Sequence, residues 1–218
     1  MSPTADSVKA LLESADFGDR LRGVNQLRDL DPAVAFTLIK PVASDHNARV
    51  RYAAVSQIST LGAANPAEAL PLLRHCLLTD AEIDVRAAAA DSLGALQLTE
   101  AFADLKTVYE NTDEWLLQFS IIAALGELGA SQSFELLATA LQSDNGLVRT
   151  AAIGSLGELQ DERAIPLLVP LVSDPDWQLR HRLVQALKQF SMPDVQAALA
   201  TLAQDENEVV ANEAKTTE

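Results

Sequence analysis

The stretch Ile83-Asp84-Val85-Arg86-Ala87-Ala88-Ala89-Ala90-Asp91-Ser92-Leu93-Gly94 decides how the chain is organised, because it recurs. It returns as Leu147-Val148-Arg149-Thr150-Ala151-Ala152-Ile153-Gly154-Ser155-Leu156-Gly157, and in part as Ala48-Arg49-Val50-Arg51-Tyr52-Ala53-Ala54. More divergent copies are Trp115-Leu116-Leu117-Gln118-Phe119-Ser120-Ile121-Ile122-Ala123-Ala124-Leu125-Gly126 and Trp177-Gln178-Leu179-Arg180-His181-Arg182-Leu183. Aligned on the arginine, the anchors are Arg20, Arg51, Arg86, Gln118, Arg149, Arg180 and Ala211, with spacings of 31, 35, 32, 31, 31 and 31 between successive positions. A fixed period of this length is the mark of a stacked repeat array.

Each unit carries two helical patterns. The first precedes an acidic turn, as in Ala164-Ile165-Pro166-Leu167-Leu168-Val169-Pro170-Leu171-Val172; the second bears the anchor. Asp45, Asp80, Asp174 and Asp205 stand six residues before an anchor and are expected to cap the second helix. Pro175 is expected at the first helical position, and Pro32, Pro66 and Pro193 at the openings of first helices. Gly94, Gly126 and Gly157 read as stops of second helices, and Pro170 as a kink. Two short helices cannot bury their apolar faces alone, but stacked pairs can. The expected fold is therefore all-α: an α-solenoid of about seven helix pairs with a period near 31, right-handed, forming one repeat domain over residues 1–218 with a degenerate last repeat.

Composition agrees and narrows the function. Of 218 residues 48% are hydrophobic and 5% aromatic, enough for a helical core. Sixteen Lys and Arg against 31 Asp and Glu give a net charge of −15, which argues against nucleic acid and against an anionic membrane surface. No apolar run is long enough to span a bilayer. Met1 to Asp6 show no basic or apolar leader pattern, so the chain reads as cytoplasmic.

The recurrent arginines Arg20, Arg51, Arg86, Arg149 and Arg180 read as a structural ladder, bonding the turn aspartates and carbonyls of a neighbouring repeat. Gln118 interrupts it. Positions three before, one after and five after the anchor fall on one stripe of the second helix, free of the packing positions. The stripe varies from repeat to repeat and holds both tryptophans of the chain. Phe17, Tyr52, Trp115, Phe119, Trp177 and His181 are its candidate binding residues, on an expected concave face, for a protein partner or a flat ligand. The competing reading packs Trp115 and Trp177 beneath the preceding turn.

Catalytic and metal signals are weak. His46, His75 and His181 lie in three different repeats, and no phosphate-binding glycine loop is present. Cys76 follows His75, but adjacent helical residues diverge by about 100°; a buried, inert thiol is expected. No catalytic residue, no metal and no obligate cofactor is assigned.

The short period, with Asp174-Pro175-Asp176-Trp177-Gln178-Leu179-Arg180 and the 148–157 stretch, resembles the HEAT-like repeats of the cyanobacterial phycobilin lyase group. Phe17-Gly18-Asp19-Arg20, Val50-Arg51-Tyr52-Ala53 and Trp115 to Phe119 are similar to its phycobilisome-degradation branch. The resemblance implies a non-catalytic interaction scaffold that binds phycobiliproteins, phycocyanin or allophycocyanin subunits, and assists antenna dismantling under nutrient starvation. The alternatives it leaves open are a lyase or chromophore-detaching protein with phycocyanobilin as ligand, and a general scaffold such as a partner in iron–sulfur assembly.

Overall fold

A computed structural model describes residues 3–216, and among them are fourteen α-helices and no strand. They alternate as first and second helices of seven pairs: α1 (Ala5–Leu12) with α2 (Phe17–Gln26), α3 (Pro32–Ile39) with α4 (Ala48–Leu61), α5 (Pro66–Thr79) with α6 (Ile83–Ala95), α7 (Phe102–Glu110) with α8 (Trp115–Glu127), α9 (Phe134–Ala140) with α10 (Gly146–Leu159), α11 (Ile165–Leu168) with α12 (Trp177–Leu187), and α13 (Pro193–Leu202) with α14 (Glu208–Lys215). The chain gathers into two compact units, one ending at Ala124 and the other beginning at Leu125. In the first, Val24, Ile39, Val50, Ile58, Leu73, Leu77, Val85, Leu93, Leu105, Leu117 and Ile121 are fully buried. In the second, Leu137, Val148, Ala152, Leu156, Leu168, Leu183, Val184, Leu187, Val195 and Val210 are. The repeat is read as packing through the positions one before the anchor and two, three, four and seven after it; all but the position two after supply most of these residues, while Ala88 and Ser120, two after, line a groove of the first unit.

The caps differ from the sequence expectation by two residues. Asn47, Asn145, Asp176 and Asn207 cap α4, α10, α12 and α14, each accepting the N–H of the residue two further on at 2.9–3.0 Å. Arg51 is the fourth residue of α4, so Asp45 stands too far ahead of the helix to reach its orphan amides. Instead the first-turn aspartates tie the approaching chain: Asp45, Asp80, Asp174 and Asp205 accept the N–H groups of Asn47, Glu82, Asp176 and Asn207 at 2.8, 3.0, 2.9 and 2.8 Å. Pro175 accordingly lies in the turn, not in α12. Pro32, Pro66 and Pro193 do open α3, α5 and α13. At Pro170 the first helix does not merely kink; α11 stops at Leu168 and a tighter 3-10 turn runs over Val169–Ser173.

The same aspartates receive the ladder. Arg20 donates Nε and Nη2 to the two carboxylate oxygens of Asp45 at 2.7 and 3.1 Å, while Nη1 bonds the carbonyl of Ser14 at 2.9 Å. Arg51 repeats this with Asp80 at 2.7 and 2.9 Å and the Asp45 carbonyl at 2.9 Å. Arg180 repeats it with Asp205 at 2.6 and 2.8 Å and the Asp174 carbonyl at 2.6 Å. The sequence had the partners crossed: the carbonyl belongs to the arginine's own turn, and the carboxylate to the next repeat. Arg86 has Thr112 where the next aspartate would stand, and bonds the Leu77 carbonyl at 2.9 Å instead. Gln118 keeps only the carbonyl half, to Thr112 at 2.8 Å. Arg149 lines a depression with Asp174 without a hydrogen bond to it.

The glycines act within helices rather than at their ends. Gly94 lies inside α6, where an added Cβ would stand 2.7 Å from the Ala124 Cα; Gly157, inside α10, would meet the Ala186 Cα at 2.7 Å. Missing side chains here let second helices touch backbone to backbone. The stops fall three residues later, at Gln97, Gly129 and Gln160, whose φ angles of 51°, 62° and 53° are left-handed. Only Gly129 adopts that conformation free of the Cβ penalty, roughly 1–2 kcal/mol for the two glutamines. Ser92, fully buried, ties α6 to α4 by donating to the Val55 carbonyl at 2.9 Å.

Two outcomes are expected. Gly94→Ala or Gly157→Ala should lower stability by roughly 1–3 kcal/mol through overpacking. Gly146→Ala should raise it by roughly 0.4–1 kcal/mol, because a Cβ there meets nothing within 4 Å and Gly146 opens α10; urea titrations read both signs. Arg180 holds the Asp205 carboxyl below the usual carboxylate range, aided by the Asn207 N–H and opposed by burial. A depressed folded pKa contributes stability above the unfolded value near 3.9, lost as pH falls through the folded one. Asp205→Asn should therefore cost roughly 1.5–3 kcal/mol at pH 7, and its difference from the parent should shrink in melts taken below about pH 3.

Candidate functional site

Phe17, Trp115 and Trp177 are the first residues of α2, α8 and α12, and are 43, 46 and 41% exposed. Each thus keeps a large apolar surface open to water at the same repeat position while the rest of the residue is covered. Tyr52, one turn into α4, is 48% exposed, whereas Phe119 and His181 are half-buried. Of the stripe positions, Ala48, Tyr52, Ala87 and Asp91 line one groove, and Phe17, Trp115, Phe119, Trp177 and His181 lie outside it. Positions four apart advance by about 40° around a helix, so the stripe's three members rotate progressively from the start of the helix onward.

What the structure brings together lies in the first unit, along α4, α6 and α8. A groove of about 550 Å3 is lined by Arg49 and Tyr52 of α4, by Asp84, Ala87 and Asp91 of α6, and by Leu116 and Ser120 of α8, among others. Tyr52 is the one candidate aromatic on its wall; Phe17, Trp115 and Phe119 are not part of it. Leu116 and Ser120, next in sequence to the two α8 aromatics, point there instead. Sequence reasoning missed Arg49, Asp84, Leu116 and Ser120. The signal that finds them is helical spacing taken from two before the anchor, then one, two and five after it, the face turned away from the packing positions.

The groove's electrostatics are lopsided. Glu82, Asp84 and Asp91 face a single cation, Arg49. Asp91 retains open surface toward the groove, yet the protein around it raises its pKa by desolvation, with the buried Ser120 hydroxyl partly offsetting that rise. In the second unit, the two bases nearest Trp177 and His181 in sequence, Arg182 and Lys188, are both engaged. Arg182 lies over Gly154, pairs with Glu158 at 3.4 Å and bonds Gln185 at 3.1 Å; Lys188 pairs with Glu213 at 3.0 Å.

Cys76 is buried on α5, and burial pushes its thiol up to about 11, so thiolate chemistry at neutral pH is suppressed. His75 points outward. Among the described residues no three His, Cys, Asp or Glu side chains are grouped to hold a metal ion, and no helix is long and apolar enough to cross a membrane.

Comparison with known proteins places this geometry. Among solved structures, the chain is similar to the complex of CpcE and CpcF of phycocyanin lyase from Nostoc sp. PCC7120, at TM-score 0.67 and 23% identity, covering 98% of this chain and 87% of that one. It is also similar to E. coli YibA, at TM-score 0.64 and 19% identity, covering 92% of this chain and 73% of that one. An engineered protein follows at TM-score 0.56 and 17% identity, covering 96% and 66%. These likenesses show a shared fold. No curated protein matches the sequence significantly. The profile of HEAT repeats matches residues 5–94, 57–126 and 103–174, which together take in most of the chain. With paired helices, a period near 31 and this match, the chain belongs to the HEAT-repeat family.

Proposed function

We propose that the protein is an interaction scaffold that binds phycobiliproteins and assists phycobilisome disassembly, the role implied by the resemblance of its sequence to the phycobilisome degradation protein NblB. The observation that carries the scaffold reading is the exposure of Phe17, Trp115 and Trp177 at one position of three repeats. Exposed tryptophan is costly to keep in water and is the side chain most enriched where binding energy concentrates. The phycobiliprotein partner is supported by the resemblance of the Phe17–Arg20 and Trp115–Phe119 stretches, and by a fold shared with CpcE and CpcF over 98% of this chain. A chromophore-handling role draws less support, because the bases of repeat six that would meet bilin propionates already pair with Glu158 and Glu213.

The charge of −15 sets the physics of the encounter. Long-range steering toward an acidic antenna protein is unfavourable, so short-range aromatic contact must supply the affinity. The expected outcome is that Trp115→Ala with Trp177→Ala leaves the helical circular dichroism unchanged and weakens binding to isolated phycocyanin by about 2 kcal/mol or more, roughly thirtyfold. Isothermal titration with phycocyanin measures it, and unchanged affinity in the folded double variant would sink the reading.

A further inference from the structure

The groove of the first unit has a chemistry that the aromatic row does not share. Its floor is Val85, Ala87, Ala88 and Leu116, so an apolar side chain can be seated there. Its walls carry Glu82, Asp84 and Asp91 against the lone Arg49. The ladder does not consume these carboxylates: Arg51 is bonded by Asp80, and Arg86 by the Leu77 carbonyl. Tyr52 stands exposed on the wall, its ring offering a face to a cation. A volume of about 550 Å3 accommodates a few side chains of a peptide segment.

Resting on the scaffold reading, we infer that this groove docks a segment of a protein partner that presents an arginine or lysine beside an apolar residue. The apolar residue seats on Ala87, Ala88 and Leu116; the cation lies between Asp84 and Asp91, against Tyr52. An anionic ligand is disfavoured at the same place by three carboxylates. The desolvation already felt by Asp91 makes an incoming cation worth more there than on open surface. A chain repelled globally by acidic partners thus holds one local site where a basic element on such a partner is favoured, which fixes the docking register.

The test uses the full chain and a fluorescein-labelled amphipathic peptide of leucine, alanine and arginine, with counterparts in which citrulline or glutamate replaces arginine. Fluorescence anisotropy should show the arginine peptide binding about tenfold or more tightly than the citrulline peptide, with the glutamate peptide weaker still. Asp84→Asn with Asp91→Asn should abolish that preference, and Tyr52→Ser should weaken it. Glu100→Gln with Glu162→Gln removes the same charge from exposed positions outside the groove and should leave affinity within about twofold. Equal binding of arginine and citrulline peptides, or equal losses in the two charge-matched variants, would overturn the inference. If no peptide binds while phycocyanin still does, the groove inference falls and the scaffold reading stands. If the arginine peptide binds in the groove and phycocyanin does not bind, the groove stands and the antenna partner falls.

Discussion

The bidentate bond from an anchor arginine to the aspartate of the following turn fixes the register between repeats at three junctions, those made by Arg20, Arg51 and Arg180. At Arg20, Arg51 and Arg180 the guanidinium joins two turns at once: its own, by a carbonyl, and the next, by both oxygens of a carboxylate. The carboxylate in turn holds the backbone N–H two residues on. A buried pair of this kind adds little net stability compared with an apolar substitute, because both ions lose water. Its effect is geometric. A fork that fits one carboxylate in one orientation sets where the next second helix begins, and so where its first residue emerges.

That first residue is where the proposed recognition would concentrate. Because each second helix starts three residues before its anchor, Phe17, Trp115 and Trp177 occupy the same position in their repeats. Asp16 and Asp176 cap the starts of α2 and α12, leaving Phe17 and Trp177 free of that duty, whereas Glu114 precedes Trp115. Where the staple is altered the surface changes too. Gln118 follows Trp115 by three residues and keeps only the carbonyl bond, so the α8 start is held by one contact where the α4 start is held by both the Arg51 carbonyl bond and the Arg20–Asp45 pair.

Period, pairing and helix type were legible from the sequence because a repeated anchor averages over local ambiguity. Proline at 32, 66 and 193 marked helix openings for a reason any single copy supplies. The finer assignments failed where two mechanisms share one residue type. Asp45 and its equivalents fit a capping role by composition, yet lie too far from the helix; the caps are asparagine and aspartate two residues on. Gly94 and Gly157 fit a stop by composition, yet their missing Cβ atoms answer an approach of a neighbouring helix that one strand of text cannot show. The groove was read only in part for a geometric reason: a spacing of four drifts by about 40° per step, so residues beside the stripe join its members on one wall. Tyr52 was found by that route; Asp84, Leu116 and Ser120 were not.

These points combine into a division of labour, with first helices supporting and second helices recognising. Hydrogen–deuterium exchange with and without phycocyanin tests it most directly. The account predicts slowed exchange confined to the starts of α2, α8 and α12 and to the groove-lining turns of α4 and α6, with α3, α5 and α13 unchanged. Protection centred on the first helices, with the tryptophan-bearing turns unaffected, would contradict it.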